Sequence, residues 1–259
     1  MTQLSTTMDH AIQTDEAPGY KRLAVMLYGI LAYGVGVVGL AWIMLGMAGI
    51  APVGFSPVNT GSNAFALLIN LALIFVFGLQ HSIMARAGFK DRIKSIMPEA
   101  MERSTYVLLS GVCIVLAIYF WQPTQGTVWV VENSVLQVAL WTLFIGGWGY
   151  LFLATFVTNH FELMGLRQVY LYFRNQPYSR LPFTRKYMYR YSRHPMMLGL
   201  LLGMWCVPVM SVTQFVMAGL FTIYMAIGVA LEERELIRQF GDTYREYRRQ
   251  IAALVPKVF

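Results

Sequence analysis

The chain has 259 residues, 57% of them hydrophobic and only 13% charged. Water-soluble domains carry about 25% charged residues, so a soluble globular enzyme is excluded and an integral membrane protein is expected. The net charge of +7 is not gathered into a nucleic-acid-binding patch, and the two cysteines, Cys113 and Cys206, sit inside apolar runs with no metal or redox spacing.

Residues 1–20 are polar and without periodicity, which predicts a mobile tail; residues 21–259 form one membrane domain. The first apolar run, 23–50, is too long for a signal-peptide core. It carries Gly29, Gly34, Gly36, Gly39, Gly46 and Gly49, small residues that let neighbouring helices approach closely. An uncharged, turn-rich loop (52–63) precedes a second run, 64–84. A basic segment, Arg86 to Arg103, leads to a third, 105–121. A short loop containing Glu132 leads to a fourth, 134–158, and a long polar segment, Asn159 to Arg193, follows. Each run is near the ~20 residues that a helix needs to cross a hydrocarbon core. The last run, Met196 to Leu231, is too long for one crossing, and Pro208, Ser211, Thr213 and Gln214 lie where a reversal would fall. The expectation is an all-α membrane protein of five to six legs, the last two (196–209 and 212–231) forming a helical hairpin.

Charge supports the hairpin. All 20 Lys and Arg residues fall before the first run, between runs two and three, between run four and the hairpin, or after the hairpin. With six legs these segments share one side, which the positive-inside rule makes cytoplasmic. The sequence therefore predicts an inner-membrane protein with both termini and the active site in the cytoplasm.

The hairpin is bracketed by charge. Arg193-His194-Pro195 opens it, with Pro195 suited to a first helical turn, and Glu232-Glu233 close it. Glu235 has Arg238 three residues on as an ion-pair partner. Glu232 and Glu233 have no such partner, and adjacent helical residues point about 100° apart, so at least one should face the bundle. Folding the hairpin would bring these acids near Arg193 and His194, an arrangement suited to the amino-acid end of a zwitterion.

The run from Tyr189 through Tyr191-Ser192-Arg193-His194-Pro195-Met196-Met197-Leu198-Gly199, then Leu231-Glu232-Glu233, then Phe240-Gly241-Asp242-Thr243-Tyr244-Arg245-Glu246-Tyr247 and Val255-Pro256, resembles the C-terminal signature of the isoprenylcysteine carboxyl methyltransferase superfamily. The resemblance implies a helical membrane enzyme whose S-adenosylmethionine pocket involves Tyr189, Arg193, His194, Pro195, Gly199, Glu232 and Glu233. Where the superfamily has an aromatic after the His-Pro pair, this chain has Met197.

Two further polar clusters, Gln80-His81-Ser82 with Arg86, and Asn159-His160-Phe161-Glu162 with Arg167, lie at the same edge. Together with the signature they resemble bacterial superfamily members that methylate a small thiol, methanethiol, to dimethyl sulfide. The likeness extends less closely to membrane proteins associated with nitrite and nitric oxide reduction. The resemblance to the thiol-methylating members puts Gln80, Asn159 and Glu162 at the substrate; because the thiolate is the nucleophile, a base (His81 or His160) is needed, and Arg86 or Arg167 could lower the thiol's pKa. No metal is required. The implied partners are a small thiol and membrane lipid, with no nucleic acid. Tyr106 and the other aromatics read as packing or interface belt. Methylation of a lipidic acceptor is a second reading, and a haem-binding or transport protein a third.

Overall fold

A computed structural model describes residues 17–55, 63–179, 181 and 187–255. The predicted tail falls mostly outside the described residues, as do Arg180, Arg185, Lys186 and Pro256. Among the described residues, five segments are long and apolar enough to cross a membrane: α1 (Gly19–Met47), α2 (Asn63–Met84), the segment Glu99–Tyr119 that contains α4 (Glu102–Tyr119), α5 (Ser134–Val157) and α9 (Val212–Phe240). Four shorter helices, α3 (Ala87–Lys94), α6 (His160–Leu163), α7 (Leu166–Phe173) and α10 (Asp242–Gln250), lie in the basic segments. Large apolar side chains such as Val135, Ile145 and Phe75 stand exposed on the long helices, as a surface in contact with lipid requires.

The last apolar run reverses where the sequence places the turn, but its first leg is not a full helix. α8 (Pro195–Trp205) has 11 residues, about 16 Å at 1.5 Å per residue against a hydrocarbon core of about 30 Å. The predicted end at residue 209 is therefore corrected to Trp205. Residues 206–208 link α8, through a bend at Pro208, to a short strand in which each residue adds roughly 3.3 Å. Extended backbone within an apolar bundle must find hydrogen-bond partners in the protein. β2 (Val209–Ser211) pairs antiparallel with β1 (Thr127–Val130), Val131 N–H donates to Pro208, and the Trp129 indole donates to the Val207 carbonyl. α9 also runs nine residues past the expected Leu231, so both glutamates lie within it. Ser211 and Gln214 start it with a capping box.

The helices are closest where glycines meet. α5 packs most extensively on α8, and α1 on α4. A Cβ on Gly199 would stand 2.6 Å from both the Gly147 carbonyl oxygen and the Leu151 amide nitrogen of α5. Gly111 of α4 lies equally tightly on Gly36, 2.9 Å by the same measure, as expected for the glycine-rich first run. The buried apolar core, including Met47, Ile118, Trp121, Trp148, Met204, Met210 and Met217, fills the middle and the end remote from the basic segments. At that remote end, buried Asn70 exchanges hydrogen bonds with the backbone of Gln122 at 2.8 and 2.9 Å. The opposite, basic end is polar inside, and the residues that the sequence nominates for a site gather there.

Candidate active site

Antiparallel pairing of α8 and α9 brings the bracket together. The Glu233 carboxylate is buried and takes Arg193 Nε at 2.8 Å, Arg193 Nη2 at 2.6 Å and His194 Nε2 at 3.1 Å on Oε1, and Arg248 Nε at 3.2 Å on Oε2. Arg193 Nη1 donates to the carbonyls of Arg248 and Ile251. Backbone bonds from Arg193 to Ala252 and from His194 to Ala253, and the Tyr247 hydroxyl on the Tyr189 carbonyl at 2.6 Å, tie the C-terminal segment onto the start of α8. Glu233 is thus the centre of a closed clasp. Glu232, about 100° around the helix, is different: its side chain is 52% exposed against 9% for Glu233, and its Oε2 lies 3.6 Å from His194 Nδ1. Of the two glutamates, only Glu232 has a carboxylate open to a ligand. Glu235 pairs with Arg238 at 3.6 Å on the exposed surface.

Pro195 takes the first turn of α8 and is buried, and Gly199 forms the contact with α5 described above. Tyr189 is buried in a 3-10 turn (Tyr187–Arg190). Burial, reinforced by the nearby Glu232 charge, pushes its phenol up to about 12, although its side-chain hydrogen bond with Thr158 opposes this. Burial likewise holds Tyr244, on α10, at about 12.

The two predicted substrate clusters fold into separate nests. At the end of α2, His81 Nε2 meets the Tyr106 hydroxyl of α4 at 2.5 Å and its Nδ1 meets Ser110 Oγ at 3.0 Å. Ser110 Oγ reaches Gln80 Oε1 at 3.4 Å, and the Gln80 amide donates to Met84 Sδ at 3.0 Å. Arg86 is exposed at the N-cap of α3. The guanidinium that reaches the His81 nest is that of Arg103, 4.9 Å above the Tyr106 ring, while its Nε donates to the Leu163 carbonyl.

After α5, Asn159 adopts φ +76° and caps α6 through its side chain. His160 is buried, with Nε2 at 3.0 Å from the Tyr33 hydroxyl, Nδ1 at 2.9 Å from Thr155 Oγ1, and the Phe156 ring stacked on it. Burial lowers its pKa below the ordinary imidazole value. Glu162 accepts from Arg167 at 2.8 Å and from the Tyr178 hydroxyl at 2.5 Å. Glu162 helps line a cavity of about 430 Å³, with Arg103, Thr158, Gln168 and Tyr178 among the other walls. The Gln168 amide oxygen is buried with no hydrogen-bond partner, and Arg193, His194, Glu232 and Glu233 are not among the residues that line the cavity.

Sequence reasoning missed Tyr106, Arg103, Thr158, Tyr178 and Arg248 as members of these groups. Nothing local distinguishes Tyr106 from the other tyrosines, and only its partner on another helix does. The basic Arg248, adjacent to the recognised Phe240–Tyr247 stretch, was the most readable of the five.

The family described as NnrU protein matches residues 68–256 of the chain. The chain is similar to the methanethiol S-methyltransferase of Crocosphaera subtropica, 39% identical over 91% of this chain and 92% of that one. It is similar to the protein of that name from Mycobacterium tuberculosis, 39% identical over 91% of this chain and 97% of that one. It is also similar to methanethiol S-methyltransferase 1 of Bradyrhizobium diazoefficiens, 36% identical over 98% and 92% respectively. No solved structure matches.

Proposed function

The chain belongs to the NnrU protein family, alongside the methanethiol S-methyltransferases, and from that premise we propose that it transfers the methyl group of S-adenosylmethionine to methanethiol, releasing dimethyl sulfide. The observation that carries the reading is the half-exposed Glu232, held beside His194; the same basic end of the bundle holds a 430 Å³ cavity whose wall offers the unpartnered Gln168 acceptor. That volume lies in the usual range for a small-molecule site, about 300–1,000 Å³, and far exceeds the needs of methanethiol alone. The residues therefore fit the cofactor: Glu232 would face its ammonium group, and Gln168 would accept from an amine of its base. Arg193, His194 and Glu233 hold Glu232 in place, while Tyr189, Pro195 and Gly199 fix the wall around it.

When bound, the cofactor supplies an electrophilic methyl on a sulfonium. The chain must bring a thiolate in line with it, and most of the acceleration comes from that alignment. A small thiol is largely protonated near neutral pH, so a base is needed. His81 suits this role better than His160. Its ring is only half-buried, in a nest that the Arg103 guanidinium reaches, whereas His160 is buried under the Phe156 ring. Arg103 is the nearby cation that favours the thiolate. Asn159 and Glu162, with Arg167, shape the cavity mouth and leave the proton transfer to α2.

Purified protein given methyl-labelled S-adenosylmethionine and methanethiol is expected to release S-adenosylhomocysteine and labelled dimethyl sulfide. Glu232→Gln should weaken the cofactor by about 10- to 100-fold, the loss of one charge-assisted hydrogen bond, with the melting temperature unchanged. Wild-type protein that turns over no small thiol overturns the reading.

The site opens to the cytoplasm of the bacterial inner membrane on this reading, because every basic segment lies at its end of the bundle. A cysteine placed at Arg245 should then resist a membrane-impermeant reagent in intact spheroplasts and react after lysis. Labelling from outside would reverse the orientation.

A further inference from the structure

We propose that Tyr106 is the residue that touches the acceptor thiol, and that His81 receives the thiol's proton through it. This rests on the methyl-transfer reading above.

The direction of the hydrogen bonds in the α2–α4 nest is fixed from its far end. The Gln80 amide nitrogen donates to Met84 Sδ, which leaves Gln80 Oε1 as an acceptor for the Ser110 hydroxyl. With its own proton committed to Gln80, Ser110 Oγ accepts from His81 Nδ1–H. The imidazole then carries its lone pair on Nε2, and the Tyr106 hydroxyl donates into it at 2.5 Å. The phenol oxygen retains lone pairs able to accept one more donor. It is the end of a four-residue chain of donors that all point inward, and the incoming proton has a defined route along it.

The nest lies beside the helix that carries Glu232. Arg103 stands 4.9 Å over the Tyr106 ring, and Tyr224, on α9 about two turns before Glu232, packs against His81. The rings of Phe77 and Tyr224 pack against His81 at 5.3 and 6.3 Å and both its nitrogens are engaged, so an incoming thiol meets the Tyr106 oxygen rather than a free imidazole nitrogen.

The step balances. The thiol S–H bond breaks and its proton goes to the Tyr106 oxygen as the Tyr106 O–H proton passes to His81 Nε2. The thiolate lone pair forms the new S–CH3 bond while the methyl–sulfonium bond breaks. S-adenosylhomocysteine leaves neutral, and the imidazolium returns its proton to solvent. Tyr106 ends as it began.

The test uses the full chain in detergent and two acceptors, methanethiol and a small thiol already ionised at the assay pH, such as trifluoroethanethiol. Tyr106→Phe is expected to lower kcat for methanethiol by about 100-fold or more, with KM for S-adenosylmethionine unchanged, and to lower kcat for the ionised thiol less than about 10-fold. His81→Gln should show the same dependence on thiol acidity, and the double variant should be no slower than the worse single one, because the two groups act in series. Equal losses for both thiols, or full activity of Tyr106→Phe toward methanethiol, would overturn the assignment. If Tyr106→Phe does not fold, the thiol dependence of His81→Gln decides alone. Wild-type inactivity toward both thiols would count against the methyl-transfer reading itself.

Discussion

Glu233→Ala is expected to destabilise the protein by about 3–5 kcal/mol, the cost of breaking a buried ion pair from one side. The alanine leaves the Arg193 guanidinium and the His194 imidazole facing a void, and it frees Arg248. The Arg193 bonds to the carbonyls of Arg248 and Ile251 hold the C-terminal segment, and they depend on a guanidinium fixed by Glu233. The damage should therefore spread to residues 248–253. Thermal unfolding in detergent measures the loss, and limited proteolysis should cut the variant near its C-terminus first. Glu233→Gln keeps the shape and one acceptor and should recover part of the difference. An alanine variant that melts with the wild type would show that the clasp carries no stability. The contrast with Glu232→Gln is the point: Glu233 is enclosed in the clasp and Glu232 stands open, and the two phenotypes should separate into lost stability and lost affinity.

Gly199→Val should be comparably damaging for a different reason. The atoms that a side chain would meet, the Gly147 carbonyl and the Leu151 amide, belong to the α5 backbone and cannot swing aside as a side chain could. Overpacking of this kind costs about 1–3 kcal/mol and more where the backbone must move. α8 would have to retreat from α5 and take the adjoining Arg193 and His194 with it, so cofactor affinity should fall together with the melting temperature. Gly149→Ala, on the partner helix α5, is the control: a Cβ there meets nothing within 4 Å, and the exchange should be neutral or slightly stabilising. A melting temperature for Gly199→Val within about 1 °C of wild type, below the roughly 2–4 °C that 1 kcal/mol moves a protein of this size, would refute the close crossing.

Much of the architecture could be read before any coordinates, because the bilayer imposes a length and a polarity on each segment. Apolar runs of one crossing each, basic residues confined to alternate connections, and Pro208 with Ser211 at the reversal follow from that constraint. The same logic predicted that Arg193 and His194 would meet Glu232 and Glu233, and they do. What escaped the sequence depends on relations between segments. α8 stops at Trp205 because the strand that completes the leg finds its partner at Thr127–Val130, on the far side of α5 in sequence. Which glutamate turns inward depends on the rotation of α9, and the hydrophobic pattern around residue 232 does not set that rotation. Tyr106 reads as one aromatic among many until α4 places its hydroxyl on His81. Gly199 was attributed to the cofactor pocket on the strength of its motif, and the contact that demands a glycine there is with α5.

The composite leg also bears on how the protein is made. A segment of 11 helical residues followed by unpaired strand has no stable resting place in lipid by itself, unlike α1, α2 or α5, which can each insert as they emerge from the ribosome. Its missing hydrogen bonds are supplied by a strand synthesised some 80 residues earlier, between α4 and α5. The final hairpin must therefore enter a bundle already assembled. The clasp and the open Glu232 come into existence only at that last event, so a chain arrested before it holds no competent cofactor site.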